Sequence, residues 1–261
     1  MNQSTGGQPA RYGQRMIWIN LHREKYSEKE PFALISQPGT NSGTRKVLTF
    51  VPKSCLFSFS LLYYMTPERK ERMLGVLNSR QDDLTVVLEN VFDPHNISAV
   101  MRTCDAVGIQ EIFVLNTRIP RHKKWGPKSS SSAHKWLTVH QFTSAEACFG
   151  LLRKKYDCIL TTHLSPDAVS LYQLNLTGRI ALVFGNEHEG VSEDIRAMAD
   201  GNFIIPQTGM IRSLNISVAC AVSLYEAHRQ KRAAGHYDHR KLPDEEFARL
   251  LDKWTSSGEA D

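Results

Sequence analysis

The stretch "LTVVLENVFDPHNISAVMRTCDAVGIQEIFVL" at residues 84–115 decides the fold. Its first part is mostly apolar and β-branched, which predicts a strand over 84–91. The segment that begins "DPHN" predicts a helix over 94–107, which ends at Gly108. A second apolar run, "EIFVL", predicts a strand over 111–115. Strand, helix and strand in immediate succession are typical of a parallel sheet.

The same alternation continues towards the C-terminus. Further strands are predicted over 135–142, 158–164, 179–187 and 202–207, and further helices over 144–156, over 192–200 and from about Ser213 onward. The sequence therefore predicts an α/β fold whose mostly parallel sheet carries helices on both faces. Because ligands bind beyond the carboxyl ends of parallel strands, we expect the functional residues in the loops that follow these strands.

Residues 1–64 differ in composition from the rest of the chain. They are rich in Gly, Ser, Gln and Pro and show no sustained hydrophobic period, which is typical of a disordered extension. Thr66 and Pro67 form a helix start, so we expect the ordered protein to begin near Met65. Residues 1–64 are then a disordered extension or a misassigned translation start. The main domain is predicted over 65–241, followed by a C-terminal helix or tail over 242–261.

Composition limits the classes of function. The 32 Lys and Arg against 27 Asp and Glu give a net charge of +5, which allows a nucleic-acid partner without establishing one. Five cysteines are scattered without a CxxC pair, so we expect neither a disulfide framework nor a zinc site, and no metal at all. The most apolar run, at 55–65, is too short to span a bilayer, which favours a soluble, cytoplasmic protein with no membrane contact. A dinucleotide enzyme is disfavoured because no GxGxxG follows a strand.

The helix over 94–107 has two contrasting faces. One face is an apolar stripe that we expect to pack on the sheet, formed by Ile97, Val100, Met101, Cys104 and Val107. On the outward side, Asn96 and Arg102 flank the small Ala99, so an amide and a guanidinium lie close to a helix N-terminus. This arrangement suits a phosphate, but an Asn helix cap and a solvated Arg would produce the same pattern.

Two later segments carry further polar residues after apolar strands. "LVFGNEHEGVS" at 182–192 places Glu187 in a glycine turn. "IIPQTGMIRSLNISVA" at 204–219 runs from a strand through a Pro/Gly loop into a helix that opens with Ser213 and Asn215. Each segment alone is common in α/β proteins, and Ser-x-Asn is most often only a helix cap. The three segments together, in this order, are specific.

In these segments and their spacing, residues 66–240 resemble the SpoU branch of the SPOUT superfamily, the RNA ribose 2′-O-methyltransferases. Within that branch they look most like the members that methylate guanosine 18 of tRNA. The resemblance implies S-adenosylmethionine as the methyl donor, a tRNA substrate, and a homodimer that completes the active site across its interface. It also implies a deep trefoil knot in the C-terminal part of the sheet, which ordinary topology rules would exclude.

The resemblance also implies roles for individual residues. Arg102 would position a neighbouring phosphate and stabilise the alkoxide that develops on the ribose 2′-oxygen. The other catalytic residues, which would orient Arg102, the cofactor and the ribose, are Asn96, Glu187, Ser213 and Asn215. The adenosyl group would be held, largely by backbone, at Thr162, Gly185, Ile205 and Leu214, although each of these could also serve core packing.

Basic residues around two loops predict the RNA surface. The run "RIPRHKKWGPK" at 118–128 combines an aromatic with cations and has no acid, which suits phosphate contact and base stacking, although a solvated loop would have a similar composition. Its candidates are Arg118, Arg121, Lys123, Lys124, Trp125 and Lys128. Arg229 is the candidate from a second cluster at 228–241, which could instead stabilise a helix end. Two other functions stay open: methylation of rRNA or of another tRNA position, and RNA binding without catalysis.

Overall fold

A computed structural model describes residues 65–122 and 133–256. These residues form an α/β fold with a seven-stranded sheet in which every strand pair is parallel, as predicted. The strands are β1 Leu84–Glu89, β2 Glu111–Leu115, β3 Thr138–Phe142, β4 Cys158–Thr162, β5 Val169–Ser170, β6 Ile180–Phe184 and β7 Gly201–Ile204. The helices are α1 Pro67–Asn78, α2 Pro94–Ala106, α3 Ala133–Trp136, α4 Ala145–Lys155, α5 Glu193–Ala197, α6 Ile216–Ala233 and α7 Asp244–Ser256. The predictions for residues 1–64 lie outside the described residues.

The strand order across the sheet is β3-β2-β1-β6-β4-β7-β5. All six residues of β1 are buried, which explains why its sequence is a largely apolar run rather than an alternating one. Val87 of β1 lies in register between Phe113 of β2 and Val183 of β6. The loops that follow β1, β2 and β6 therefore meet at one edge of the sheet.

Helices cover both faces of the sheet. The face under α2 and α6 forms one apolar core, and the predicted stripe of α2 is confirmed because all five of its residues are buried there. The opposite face packs against α4 and α5, with Phe149, Leu152 and Ile195 among its buried side chains. Burial of each large apolar side chain contributes about 1.5–3 kcal/mol, so both layers are needed for stability.

The start of α2 bears on the site. Asp93 caps this helix, since its side chain accepts a hydrogen bond from the His95 N–H at 2.8 Å, and Pro94 takes the first helical position. The interpretation of Asn96 as the helix cap is therefore wrong. Its amide lies inside the first turn and is available to other elements of the fold.

The last long helix begins later than predicted. It starts at Ile216 rather than near Ser213, because Asn215 is its cap and accepts a hydrogen bond from the Ser217 N–H at 2.9 Å. Residues 205–215 form neither helix nor strand. The third segment of the predicted site therefore lies on an irregular connection, not on a helix.

Three short elements were not predicted, one of which is the 3₁₀ turn Leu171–Gln173. α3 replaces the start of the strand expected over 135–142, where Trp136 packs edge-on against Trp254 at 5.3 Å between ring centroids. β5 has only two residues, which is too short to give a periodic signal. Among the helices of residues 65–122 and 133–256, none is long and apolar enough to cross a membrane.

A charged cluster joins the starts of β2 and β3 to the end of α4. The Lys155 ammonium donates to the two carboxylate oxygens of Glu111 at 2.7 and 2.6 Å, and His140 Nε2 lies 3.6 Å from Glu111 Oε2. Burial of the carboxyl group opposes its ionisation, but the interactions with His140 and Lys155 outweigh this and lower the pKa of Glu111 to about 2. The cluster should therefore stabilise the fold while Glu111 is ionised.

Glu111→Gln is expected to lower the free energy of unfolding at pH 7 by about 2 kcal/mol, after discounting for the partial exposure of the cluster. Because the folded state lowers the pKa of Glu111, the stabilisation is complete above the unfolded value of 4.5 and is lost as pH falls towards 2. Urea unfolding of both proteins at pH 7, 5 and 3 measures this, with the exposed Glu71→Gln as control. A stability difference that stays constant across this range would contradict the prediction.

Candidate active site

Three segments that are distant in sequence meet at the carboxyl edge of the sheet. Asn96 Nδ2 donates a hydrogen bond to Glu187 Oε1 at 2.7 Å, across 91 residues of chain. Asn215 Nδ2 donates to Asn96 Oδ1 at 3.2 Å, across 119 residues. The structure thus brings together three of the five predicted catalytic residues in a continuous chain of side-chain hydrogen bonds.

This chain of hydrogen bonds has a defined direction. Asn215 Oδ1 accepts from the Ser217 N–H and from Ser217 Oγ at 2.6 Å, so the amide nitrogen of Asn215 must face Asn96. Asn96 then accepts from Asn215 and donates to the carboxylate of Glu187. Hydrogen bonds to an ionised group are stronger than those between neutral groups, so Glu187 fixes the orientation of the Asn96 amide.

Arg102 lies on α2 beyond the Asn96 amide. Its side chain is exposed, and within residues 65–122 and 133–256 no hydrogen bond or ion pair holds it. As predicted, Ala99 lies between Asn96 and Arg102, about one helical turn from each of them. The guanidinium therefore has its donors available to a phosphate, which could accept them in a fork.

The loop after β6 carries Glu187 at its tip. A β-carbon on Gly185 would lie 1.9 Å from the carbonyl carbon of Gly190, so only glycine fits at this position. Asn186 Oδ1 accepts from the backbone N–H groups of His188 and Glu189 at 2.9 and 2.7 Å. The loop is thus a compact turn fixed by its own side chain, which holds Glu187 towards α2.

Three of the four residues predicted to hold the adenosyl group lie at the ends of three adjacent strands, and the fourth, Leu214, lies just before α6. Thr162 ends β4 and donates from Oγ1 to the Val183 carbonyl at 3.2 Å. Ile205 follows β7 and packs partly against the core, and Leu214 is half-buried in the irregular segment before α6. With Gly185, this set offers apolar side chains and main chain without a charge, which fits a neutral adenine.

Other predicted residues lie apart from this network. Ser213 is exposed and, among the described residues, makes no hydrogen bond to Asn96 or Glu187. Arg118 and Arg121 are exposed after β2, and Arg118 pairs with Glu189 at 3.1 Å. Arg229 is exposed on α6 and pairs with Glu226. Lys123, Lys124, Trp125 and Lys128 lie outside the described residues.

Sequence reasoning missed two buried polar residues at the end of β1. Glu89 Oε2 accepts from the Ser192 N–H at 3.0 Å, and Asn90 Oδ1 accepts from the Arg118 N–H at 2.9 Å. Both side chains are at most 2% exposed. The signal that could have identified them is the occurrence of two polar residues at the end of an apolar strand. No group of three or more His, Cys, Asp or Glu within the described ranges could hold a metal ion.

Comparison with known proteins agrees with this geometry. The model of the SpoU rRNA methylase family matches residues 83–225, which include all three segments of the site. The chain belongs to the SpoU methylase family. It is 41% identical over 191 residues to a tRNA (guanosine(18)-2′-O)-methyltransferase of Thermus thermophilus, an alignment that covers 72% of this chain and 96% of that relative.

Solved structures support the same assignment. The fold matches the A. aeolicus TrmH/SpoU tRNA modifying enzyme with a TM-score of 0.69 and 34% identity, covering 74% of this chain and 98% of the other. It also matches the SpoU methyltransferase AviRb from Streptomyces viridochromogenes, solved in complex with AdoMet, with a TM-score of 0.54 and 25% identity. That match covers 61% of this chain and 65% of AviRb.

Proposed function

We propose that this protein transfers a methyl group from S-adenosylmethionine to the ribose 2′-oxygen of guanosine 18 in tRNA. The observation that carries the proposal is the convergence of Asn96, Glu187 and Asn215 beside the exposed Arg102. The relative from Thermus thermophilus, which aligns over most of this chain, bears the name of this activity. Catalysis is therefore favoured over RNA binding alone, since three of the five predicted catalytic residues meet in one hydrogen-bond network.

The proposed mechanism assigns each side chain a task at the 2′-hydroxyl. S-adenosylmethionine, when bound, supplies a methyl group on a positively charged sulfur. Arg102 binds the phosphate next to the target ribose and stabilises the negative charge that grows on the 2′-oxygen. A guanidinium stays protonated in proteins, so Arg102 acts by charge and hydrogen bonding rather than as a base. Asn96 and Asn215, oriented by Glu187 and the α6 cap, hold the adjacent surface rigid.

The cofactor would lie across the ends of β4, β6 and β7. Gly185 and Ile205 would offer backbone close to the adenine, while Leu214 and Thr162 would flank it. Ser213, which precedes this segment's helix cap by two residues, would orient the ribose or cofactor from the same side. Residues 65–241 would then form the methyltransferase domain, with 242–261 as a C-terminal helix and tail.

The RNA would approach over the basic residues next to this edge. Arg118, Arg121 and Arg229 are exposed in the structure and can reach phosphates. The proposal also includes four residues outside the described ranges, Lys123, Lys124, Trp125 and Lys128. A tRNA substrate would place the protein in the cytoplasm.

The C-terminal part of the sheet is proposed to be knotted. β7 is separated from β1 by β6 and β4, yet the segment after β7 returns to the helix that follows β1, where Asn215 meets Asn96. Residues 205–215 must therefore cross the carboxyl ends of two strands. This crossing, together with the closed loop at Gly185, supports a trefoil knot, which an experimental trace of residues 163–215 would test.

A homodimer is proposed from exposed apolar side chains near the site. Met210 and Ile211 are 99% and 65% exposed in the segment before α6. Val218 and Tyr225 are about half exposed and lie seven residues apart, which places them on one face of α6. Such a patch suits an interface that brings a second copy to the active site. Light scattering should give the mass of a dimer, and Tyr225→Glu should shift it towards a monomer.

The test of the function is tritium transfer from labelled S-adenosylmethionine to unmodified tRNA transcript and, in parallel, to rRNA. A 2′-O-methylguanosine mapped to position 18 by mass spectrometry of nuclease fragments is the expected result. The family model is described as one of rRNA methylases, which makes rRNA the second candidate substrate. Label in rRNA alone would show that rRNA, not tRNA, is the substrate. If the folded protein bound S-adenosylmethionine and RNA but transferred no methyl group, it would be an RNA-binding protein without catalysis.

A further inference from the structure

Asn90 has an unusual backbone conformation. Among residues 65–122 and 133–256 it is the only non-glycine residue with a positive φ, at 49°. The residue is 2% exposed and directly follows β1, three residues before the cap of α2. Left-handed backbone is unfavourable for a residue with a side chain, although Asn tolerates it better than most. Such strain persists where the surroundings require it, often at functional sites.

The surroundings of Asn90 are the loop that follows β2. Asn90 N–H donates to the Leu115 carbonyl at 2.8 Å, after which the pairing of β1 with β2 ends. The side chain then bridges to the next residues of that loop. Its Oδ1 accepts from the Arg118 N–H at 2.9 Å, and its Nδ2 donates to Thr117 Oγ1 at 3.0 Å.

The same junction also reaches the loop of Glu187. Glu89, the neighbour of Asn90, accepts from the Ser192 N–H at 3.0 Å, which anchors the end of that loop. The Arg118 guanidinium lies 3.1 Å from Glu189 in the loop itself. The buried side chains of Glu89 and Asn90 therefore tie together the loops after β1, β2 and β6, and the exposed Arg118–Glu189 pair adds a second contact between two of these loops.

We propose that Asn90 is a positioning residue that holds residues 116–122 against the active site, so that Arg118 meets a substrate phosphate at a fixed distance from Asn96 and Glu187. The inference rests on the proposed function. Arg118 is anchored to Asn90 through its backbone, while the contact that its guanidinium makes with other described residues is an exposed ion pair that a phosphate can replace. RNA binding then needs little further ordering of the loop, and preorganisation of this kind increases affinity.

Asn90→Gly removes the side chain but keeps the backbone conformation, because glycine adopts a φ of 49° without strain. We expect a KM for tRNA about tenfold higher, an unchanged Kd for S-adenosylmethionine and a kcat within about twofold. Thr117→Val is the matched control, since it removes one of the three side-chain hydrogen bonds of Asn90 and leaves the bond to the Arg118 N–H. Its effect on KM should be about twofold or threefold, between those of wild type and Asn90→Gly.

A double-mutant cycle with Arg118→Ala distinguishes positioning from a general structural effect. In the wild-type background Arg118→Ala should raise the KM for tRNA about tenfold, but in the Asn90→Gly background only about twofold, because the guanidinium is no longer held in place. Effects that multiply independently, or an unchanged KM for Asn90→Gly, would overturn this inference alone. Absence of methyl transfer by the wild-type protein would instead overturn the proposed function and the inference with it.

Discussion

Replacement of Arg102 by alanine should reduce kcat for tRNA methylation by about 10²- to 10³-fold, with the fold and the affinity for S-adenosylmethionine unchanged. The side chain is exposed, and among the described residues it makes no hydrogen bond or ion pair, so its loss should change stability by less than about 0.5 kcal/mol. The loss should fall on the chemical step, because charge on the 2′-oxygen develops only in the transition state. Single-turnover methyl transfer at saturating tRNA measures this step directly.

Two further variants sharpen the Arg102 experiment. Arg102→Lys keeps the charge but loses the planar fork of donors, so it should recover less than a tenth of the lost rate. Lys154→Ala removes an exposed cation from α4, which packs on the opposite face of the sheet, and should leave kcat unchanged. Near-normal turnover by the alanine variant would show that Arg102 has no essential role in the mechanism.

Gly185→Ala should abolish cofactor binding and destabilise the fold by about 4 kcal/mol. The added methyl group would lie within 2.1 Å of three backbone atoms of Gly190 and Val191, and backbone cannot yield as the end of a flexible side chain can. The loop after β6 would have to open, which would carry Glu187 away from Asn96. Calorimetric titration with S-adenosylmethionine and urea unfolding measure the two effects.

The control for this variant is Gly150→Ala on α4. A β-carbon there meets no atom within 4 Å, so alanine should stabilise the helix by about 0.5–1 kcal/mol and leave cofactor binding intact. If Gly185→Ala bound S-adenosylmethionine with wild-type affinity, the tight closure of the loop would have no functional meaning.

Much of the fold could be predicted because the strands and helices of a parallel α/β protein have characteristic local patterns of apolar residues. The buried β1 is an apolar run, and the stripe of α2 has the period of a helix with one buried face. The meeting of Asn96, Glu187 and Asn215 was also accessible, since the loops at the carboxyl ends of neighbouring strands share one edge. The proposed knot was suggested by resemblance only, because periodicity contains no information on how a chain threads.

The other features of the fold and the site could not be predicted, because they depend on long-range contacts that the local sequence pattern does not reveal. Asn90 and Glu89 bond to residues 28 and 103 positions away, and nothing in the pattern around them identifies those partners. The start of α6 was misplaced because Ser213 and Asn215 are both good caps, and only the bond from Ser217 decides between them. The four basic and aromatic residues at 123–128 stay predictions, since they lie outside the described residues.

Asn215 caps the start of α6 with the oxygen of its amide and begins the hydrogen-bond chain of the site with the nitrogen of the same amide. The site would therefore be sensitive to deamidation of Asn215, the hydrolysis that turns the amide of Asn into the carboxylate of Asp. The product could still cap α6, but it would have no hydrogen to donate and would turn an acceptor towards Asn96. If the Asn96 amide rotated to compensate, its oxygen would face the carboxylate of Glu187. Replacement of the amide nitrogen of Asn215 by oxygen would thus leave α6 in place but break the hydrogen bonds that connect Asn215, Asn96 and Glu187.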